Sequence, residues 1–292
     1  MWCRNCNIET NEKNCPICGH VTEEDIPLEI MWCPKCRTPI IRVVNDQAKH
    51  DCPLCYGKVS HMSADLCPVF PEERLLLELL LDKEPNEYVE KSVWASNSRY
   101  YIDGKSLNLS SSVFQNADTD SLAKKLEQYS PQNSYEYFNT HIRHFIEANK
   151  DRLHYLKNEA FSFVRQAAEK FDEEKIVISF SGGKDSTATA DVVVKALSNP
   201  SLVHIFGDTT LEFPSTIEYA KRFRENHPQA IFEVAKNDEQ VFCDVCEDIG
   251  PPARMMRWCC SMFKTGPITR IINGFYRNQQ ILTFYGIRKS ES

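Results

Sequence analysis

The sequence predicts an α/β protein, a doubly wound parallel sheet preceded by small cysteine-rich and α+β modules. Three observations carry that expectation. Runs of β-branched and aromatic residues (Ile176–Phe180, Leu202–Phe206, Ile231–Val234, Ile281–Gly286) alternate with helical patterns; such runs read as buried strands, and strands alternating with helices share one parallel sheet. Two glycines, Gly182 and Gly183, stand between the first strand and a helix that follows. Nine of the thirteen cysteines lie in the first 67 residues, mostly as CxxC pairs.

With 292 residues the chain fits two or three domains: 1–67, 68–130 and 131–292. Its longest leucine run, Leu75–Leu81, is interrupted by Glu78 and too short to span a membrane. Met1-Trp2-Cys3 does not open a signal peptide. A cytoplasmic protein with no membrane partner is therefore expected. The net charge of −7 gives no general nucleic-acid signature. From Gly250 to Ser290, however, there are seven basic residues and no acidic one, so an anionic substrate is expected there.

The first elements are metal sites. Cys3-x2-Cys6-x8-Cys15-x2-Cys18 and Cys33-x2-Cys36-x15-Cys52-x2-Cys55 are two pairs of knuckles, each pair offering four thiolates to a tetrahedral zinc ion. Clustered CxxC pairs in an intracellular chain indicate metal rather than disulfides. Spacing alone leaves open a swapped pairing of outer with inner knuckles. Closed four-thiolate sites are structural, since no coordination position remains for chemistry. Cys67 is left over and reads as a buried or idle thiol.

Pro71-Glu72-Glu73 opens an amphipathic helix. Ser92–Ala95, Arg99–Ile102 and Ser106–Leu109 read as short strands, with Asp103-Gly104 as a hairpin turn. Trp94, Tyr100 and Tyr101 are expected in a core. Residues 115–134 are polar and read as a linker. Apolar spacing from Ser134 to Phe171 predicts two helices, carrying His141, His144 and His154 on exposed faces.

The central stretch is Ser179-Phe180-Ser181-Gly182-Gly183-Lys184-Asp185-Ser186. A strand, a glycine turn and a helix start make a phosphate cradle, because glycines admit an anion to the backbone and the free N–H groups of the helix point at it. The GxxxxGK[ST] spacing of a Walker loop is absent. Asp208 and Thr209 end the second strand and are expected to face the same crevice as Ser181.

Ser181–Ser186 resembles the pyrophosphate-binding loop of the PP-loop ATP pyrophosphatases, or adenine nucleotide α-hydrolases. Three further stretches are similar to the phosphoadenosine phosphosulfate (PAPS) reductase family within that superfamily: Gly207–Thr216, Arg257–Pro267 and Gly286–Ser292. With the loop they stand in family order over residues 175–292. The resemblance implies that Ser179, Ser181, Gly182, Gly183, Lys184, Asp185 and Ser186 bind nucleotide phosphates. It places Asp208 and Thr209 near the ribose, adenine or Mg²⁺, and makes Lys264 and Arg288 an anion clamp aided by Arg257. The nucleotide would be ATP, PAPS or adenylyl sulfate. Thioredoxin-dependent members carry a nucleophilic cysteine beyond the last motif. This chain ends at Ser292 without it, so it is expected either to be truncated or to run a different reaction.

Cys243-x2-Cys246-x12-Cys259-Cys260 flanks the basic segment. A [4Fe–4S] cluster, a third zinc site and metal-free thiols are the three readings; a cluster would follow the Cys-Cys pair of related adenylyl-sulfate reductases. Cys259 and Cys260 are also candidates for the chemistry itself, with Lys264 and Arg288. Two functions follow. One is a PAPS reductase-like enzyme served by a reductant protein. The other is an ATP-dependent sulfur transferase acting on nucleic acid, by tRNA thiolation or DNA phosphorothioation, with a sulfur donor. A non-catalytic nucleotide-binding subunit is a third.

Overall fold

In a computed structural model, which describes residues 2–3, 5–6, 8–10, 12–23, 28–44, 51–96, 99–110, 113, 115, 117–130 and 134–287, the chain divides into two units, residues 1–154 and 155–292.

The first unit begins with a small hairpin, β1 (Trp2–Cys3) against β2 (Ile8–Glu9), and continues with β3 (Leu28–Cys33), β4 (Thr38–Val43) and β5 (Ser60–Ser63), antiparallel in the order β4-β3-β5. A second antiparallel sheet runs in sequence through β6 (Cys67–Pro68), β7 (Val93–Ser96), β8 (Arg99–Ile102) and β9 (Lys105–Asn108), with α1 (Pro71–Leu80) between its first two strands. The Asp103-Gly104 turn has φ of 48° and 78°, the left-handed pair that a tight hairpin needs. Gly104 is also required for space, because a Cβ there would lie 2.4 Å from the Trp32 indole. Arg37 anchors the same turn, donating from Nε to Asp103 Oδ1 at 2.9 Å and from Nη2 at 2.7 Å.

In α1, Arg74 pairs with the fully buried Glu78 at 3.0 Å. The same carboxylate accepts from the Asn86 and Tyr88 amides, both at 2.7 Å, so a buried charge organises the loop that follows the helix. Trp94 and Tyr101 are buried as expected, whereas Cys67 is exposed.

The expected linker contains a helix, α2 (Thr119–Tyr129), capped by the Asp118 side chain, which accepts from Asp120 and Ser121 amides. Its apolar stripe, Leu122, Leu126 and Tyr129 at i, i+4 and i+7, is short and only half-buried among charged and polar residues, so the segment reads as polar. Then come α3 (Glu136–Ala148) and α4 (Lys150–Ala168), the latter running on into the second unit. Between them Asn149 completes the edge of β4: its Oδ1 accepts from Ile41 N at 2.6 Å and its Nδ2 donates to Pro39 O at 3.1 Å. His144 and His154 are exposed, as expected, but His141 is partly buried, and burial lowers its pKa.

The second unit is a parallel sheet of four strands, β10 (Ile176–Phe180), β11 (Val203–Asp208), β12 (Ile231–Lys236) and β13 (Leu282–Phe284), in the order β12-β11-β10-β13. α4, α5 (Lys184–Leu197) and α6 (Pro214–Asn226) pack on Ile176, Ile178 and Phe180. On the other face α8 (Gly266–Tyr276) covers Val177, Val203 and Ile205. Helices on both faces and parallel pairing throughout make this a doubly wound α/β domain. The chain winds outward from β10 to β12 and returns beside β10 as β13. The order reverses there, and ligands in such sheets bind beyond the carboxyl ends of the strands at that switch. Among the described residues no helix is long and apolar enough to cross a membrane.

Candidate functional site

The glycine loop lies at the switch point. β10 ends at Phe180, and α5 starts at Lys184 with Gly183 as its cap. Gly182 has φ of 73°, and a Cβ on it would meet Thr216 Cγ2 at 3.1 Å, so both conformation and space demand glycine. Ser186 closes the loop from inside. It is buried, its Oγ accepts from Ser181 N at 3.1 Å, and it donates to Gly183 O at 3.0 Å. Ser181 Oγ lies 3.1 Å from the same hydroxyl. No side chain caps α5, and an uncapped helix start is where backbone N–H groups meet an anion. Lys184 is exposed at this helix start, and Asp185 follows in the first turn. Ser179 sits one residue before the end of β10, partly buried.

The end of β13 reaches the same place. A Cβ on Gly286 would stand 2.7 Å from the Asp185 backbone and 2.8 Å from Thr189 Oγ1. Only a glycine brings the last strand this close to the loop helix. Gly286 is thereby set against the start of the loop helix, and Arg288 lies outside the described residues.

Asp208 ends β11 at the same end of the sheet, with Lys236 Nζ of β12 at 3.6 Å and Thr210 N donating to Asp208 Oδ1 at 2.9 Å. Thr209 points to Glu212, donating to Oε1 at 2.9 Å. Thr210 has φ of 66°, a left-handed turn fixed by its hydroxyl, which accepts from Phe242 N at 2.9 Å. That bond ties the β11 turn to α7 (Phe242–Ile249), which carries Cys243 and Cys246.

Lys264 belongs to a π-helical turn, Cys260–Thr265, that runs directly into α8. A Cβ on Gly266 would lie 2.3 Å from Ser261 O, so that wide turn also depends on a glycine. Phe263 is buried against Phe242 and Trp258, with ring centroids 5.6 and 6.1 Å away, and this anchors the turn while Lys264 and Arg257 stay exposed. Single π-turns recur at functional sites because they re-aim a side chain without ending the helix.

The cysteines fall into two kinds. Cys3, Cys6, Cys15 and Cys18 form one group and Cys33, Cys36, Cys52 and Cys55 another, with all four sulfurs of each group within 4.8 Å of one another. The knuckles pair with their sequence neighbours, and the swapped pairing does not occur. Sulfur separations of 3.5 Å (Cys3–Cys18), 3.6 Å (Cys33–Cys55) and 3.8 Å (Cys36–Cys52) approach the edge of a zinc tetrahedron, about 3.8 Å for arms of about 2.3 Å. The thiols share charge unequally without a cation. Hydrogen bonding to Cys18 pushes Cys6 up to about 12, while the His20 amide draws Cys18 down to about 5. Burial raises Cys36, and the Gly57 amide lowers Cys55 to about 7. A divalent cation relieves that competition by holding all four as thiolates. Both groups can hold a metal ion such as zinc.

The inner set is open. Cys259 and Cys260 have sulfurs 4.0 Å apart, and burial pushes the Cys246 thiol up with Cys243 and Cys259 as neighbours. Among the described residues these four do not form a group as tight as the other two.

Three residues of this unit were not singled out by sequence. Thr187, Thr216 and Tyr219 touch the loop from α5 and α6. The signal available was the Thr216-x2-Tyr219 spacing, which puts both on one face of α6. The widest hollow described in this unit, about 1040 Å³, runs between those helices past Gly182, Lys184, Thr187, Tyr219 and Arg222.

A glycine loop at the switch of an open parallel sheet defines a doubly wound α/β domain, and the comparisons narrow it. Residues 175–292 match the model of the phosphoadenosine phosphosulfate reductase domain. Two proteins of Methanocaldococcus jannaschii are similar to the chain. Uncharacterized protein MJ0066 is 30% identical over 169 residues, covering 58% of this chain and 34% of that protein. Uncharacterized protein MJ0973 is 30% identical over 153 residues, covering 52% and 35%. The chain thus spans about a third of the length of these relatives. Among solved structures, a phosphoadenylyl-sulfate reductase from Candida auris in a phosphate complex has a TM-score of 0.35 at 19% identity, covering 44% of this chain and 61% of its own. An NH3-dependent NAD synthetase from Campylobacter jejuni with nitrate has a TM-score of 0.35 at 14% identity, covering 47% and 58%.

Proposed function

We propose that residues 155–292 bind an adenine nucleotide, ATP, PAPS or adenylyl sulfate, and act on sulfur at its phosphate end. The observation that carries this is the loop: Ser186 ties Ser181 N to Gly183 O at the uncapped start of α5, and Gly286 packs against the same helix start. Ser179 and Ser181–Ser186 are the phosphate contacts, with Asp208 and Thr209 toward the sugar, the base or a Mg²⁺ ion. Lys264, Arg257 and Arg288 then stabilise the charge that develops on the leaving group. In reduction, a thiolate attacks the sulfonate sulfur and the S–O bond breaks, releasing the adenosine phosphate. A second thiol then attacks the S-sulfocysteine, leaving a disulfide and sulfite. Cys259, Cys260 or a reductant protein supplies the thiols. The two four-cysteine groups, as zinc ribbons, serve as structural ends of residues 1–67. The thiol-rich composition suits a reducing, cytoplasmic setting.

A second reading is supported by the inner cysteines, which gather beside the basic segment without closing. With a cluster, or as free thiols, Cys243, Cys246, Cys259 and Cys260 would carry sulfur to a nucleic-acid target adenylated by ATP. One assay separates the readings. Sulfite released from PAPS and a dithiol, with no nucleic acid present, supports reduction. Pyrophosphate or AMP release from ATP that rises on adding tRNA or DNA supports transfer. Failure of the chain to bind PAPS, adenylyl sulfate or ATP at millimolar concentration removes both.

A further inference from the structure

The phosphate loop is braced from the neighbouring helix, and one hydroxyl carries the brace. Tyr219, in α6, donates to Thr187 Oγ1 at 3.0 Å. Thr187 Oγ1 in turn donates to Gly183 O at 2.9 Å. That carbonyl also accepts from Thr187 N and from Ser186 Oγ, each at 3.0 Å. Three donors on one carbonyl fix the plane of the Gly183–Lys184 peptide. Since a trans peptide is planar, fixing its C=O along the helix also aims the Lys184 N–H back toward the crevice. The Lys184 N–H is the first of the free donors an anion would meet.

The ring of Tyr219 supports the other side of the loop. It lies nearly parallel to Phe180, the last residue of β10, with centroids 6.3 Å apart and planes 17° apart. Its Cδ1 stands 3.8 Å from where a Gly182 Cβ would be, next to Thr216 Cγ2. One side chain therefore contacts the strand end, backs the left-handed glycine and reaches the peptide that opens α5. Neither the sequence pattern nor the family match assigns it a role.

We propose that Tyr219 is a positioning residue for the phosphate loop, acting through Thr187 on the Gly183–Lys184 peptide. The proposal rests on the nucleotide-binding reading of that loop, and its test separates the two. Tyr219→Phe keeps the ring and its stacking and removes only the hydroxyl. In the full chain, titration with inorganic pyrophosphate and with ATP should show affinity three- to ten-fold weaker, on the order expected for one lost hydrogen bond. Thr187→Val should weaken binding similarly and Thr187→Ser should restore it. The Tyr219→Phe/Thr187→Val pair should be no worse than Thr187→Val alone, because both break one relay.

Amide hydrogen exchange on the ligand-free chain reads the same brace without any nucleotide. Thr187 N–H should lose at least three-fold of its protection in Tyr219→Phe, with the amides of β11 unchanged. Unchanged Thr187 protection overturns the proposal, as does additive loss in the double variant. If the wild-type chain binds neither pyrophosphate nor ATP while Tyr219→Phe still loosens Thr187, the brace stands and the nucleotide reading falls.

Discussion

Cys33 and Cys52 hold in the first unit the place that Ile178 and Phe180 hold in the second: all four are at most 1% exposed. Around the cysteines part of the support is polar, through Asn149 and the Arg37–Asp103 turn. Around Phe180 support comes from other rings, Phe223 at 4.3 Å and Phe232 at 5.6 Å. Ribbons of this size bury little apolar surface of their own, so a metal ion held by the four thiolates would supply what a core does. The parallel sheet needs none.

The largest expected effect breaks the first half of this comparison. Cys33→Ser, or zinc removal by a strong chelator, should melt the β3–β5 region outright. Structural zinc is worth about 10–16 kcal/mol in small domains at neutral pH. Hydrogen exchange would then show residues 28–43 unprotected and residues 176–206 still protected, and zinc content should fall by one ion per chain in Cys33→Ser and by two on chelation. Retention of protection in 28–43 without metal would mean that the ribbon folds on packing alone.

Next in size is the opposite lesion. Phe180→Ala empties a site ringed by Phe206, Tyr219, Phe223 and Phe232 and should cost about 3–5 kcal/mol. Metal content should not change. A loss under about 1 kcal/mol in urea unfolding of the second unit would show that the ring cluster is not its core.

Acid sharpens the contrast more gently. Burial works against the Asp103 carboxylate, but the Ser92 amide and the Arg37 guanidinium outweigh it and hold its pKa below the usual range. A lowered folded-state pKa gives stability that is complete above the unfolded-state value. That stability is lost as pH falls through the folded one. Asp103→Asn should therefore cost about 1–2 kcal/mol at pH 7 and progressively less on acidification below about pH 4. Unfolding of the first unit followed from pH 7 to pH 2 checks the convergence of the two proteins.

The same physical difference governs what could be read from sequence. Ile176–Phe180 and its partner strands were legible because a strand buried on both faces has to be apolar throughout, and the CxxC spacings because metal geometry fixes them. The pairing of knuckles required the fold. In α2 the three-residue stripe Leu122, Leu126 and Tyr129 is half-buried and outweighed by charged and polar neighbours, so the segment reads as a linker. At the crevice the glycines were visible as residue types, but the reason for Gly286 and Gly266 was not, since the close atoms belong to backbone that only the fold brings near. For Tyr219 the spacing from Thr216 gives the helix face, but not that its hydroxyl reaches Thr187 on a neighbouring helix.

The smallest expected effect lies inside the ribbons, where two knuckles have the same hydrogen bonds and different residues. Cys15 N donates to His20 O at 2.8 Å and Gly19 N to Cys15 O at 2.8 Å; Cys52 N donates to Gly57 O at 2.7 Å and Tyr56 N to Cys52 O at 2.8 Å. The left-handed residue is Gly19 in one, with φ of 72°, and Tyr56 in the other, with φ of 56°. A side chain in that region costs roughly 1 kcal/mol that glycine avoids, partly offset because glycine loses more freedom on folding. Tyr56 is 80% exposed, so removing its ring sacrifices little packing, and a Cβ on Gly19 would meet nothing within 4 Å. The two substitutions therefore isolate backbone conformation. Tyr56→Gly should stabilise its ribbon by up to about 1 kcal/mol and Gly19→Ala should destabilise the other by a similar amount. Zinc transfer to a chromophoric chelator, read at each ribbon by exchange protection, should slow in the first and quicken in the second. If Tyr56→Gly instead loosens its ribbon, the exposed ring makes contacts that repay its backbone strain.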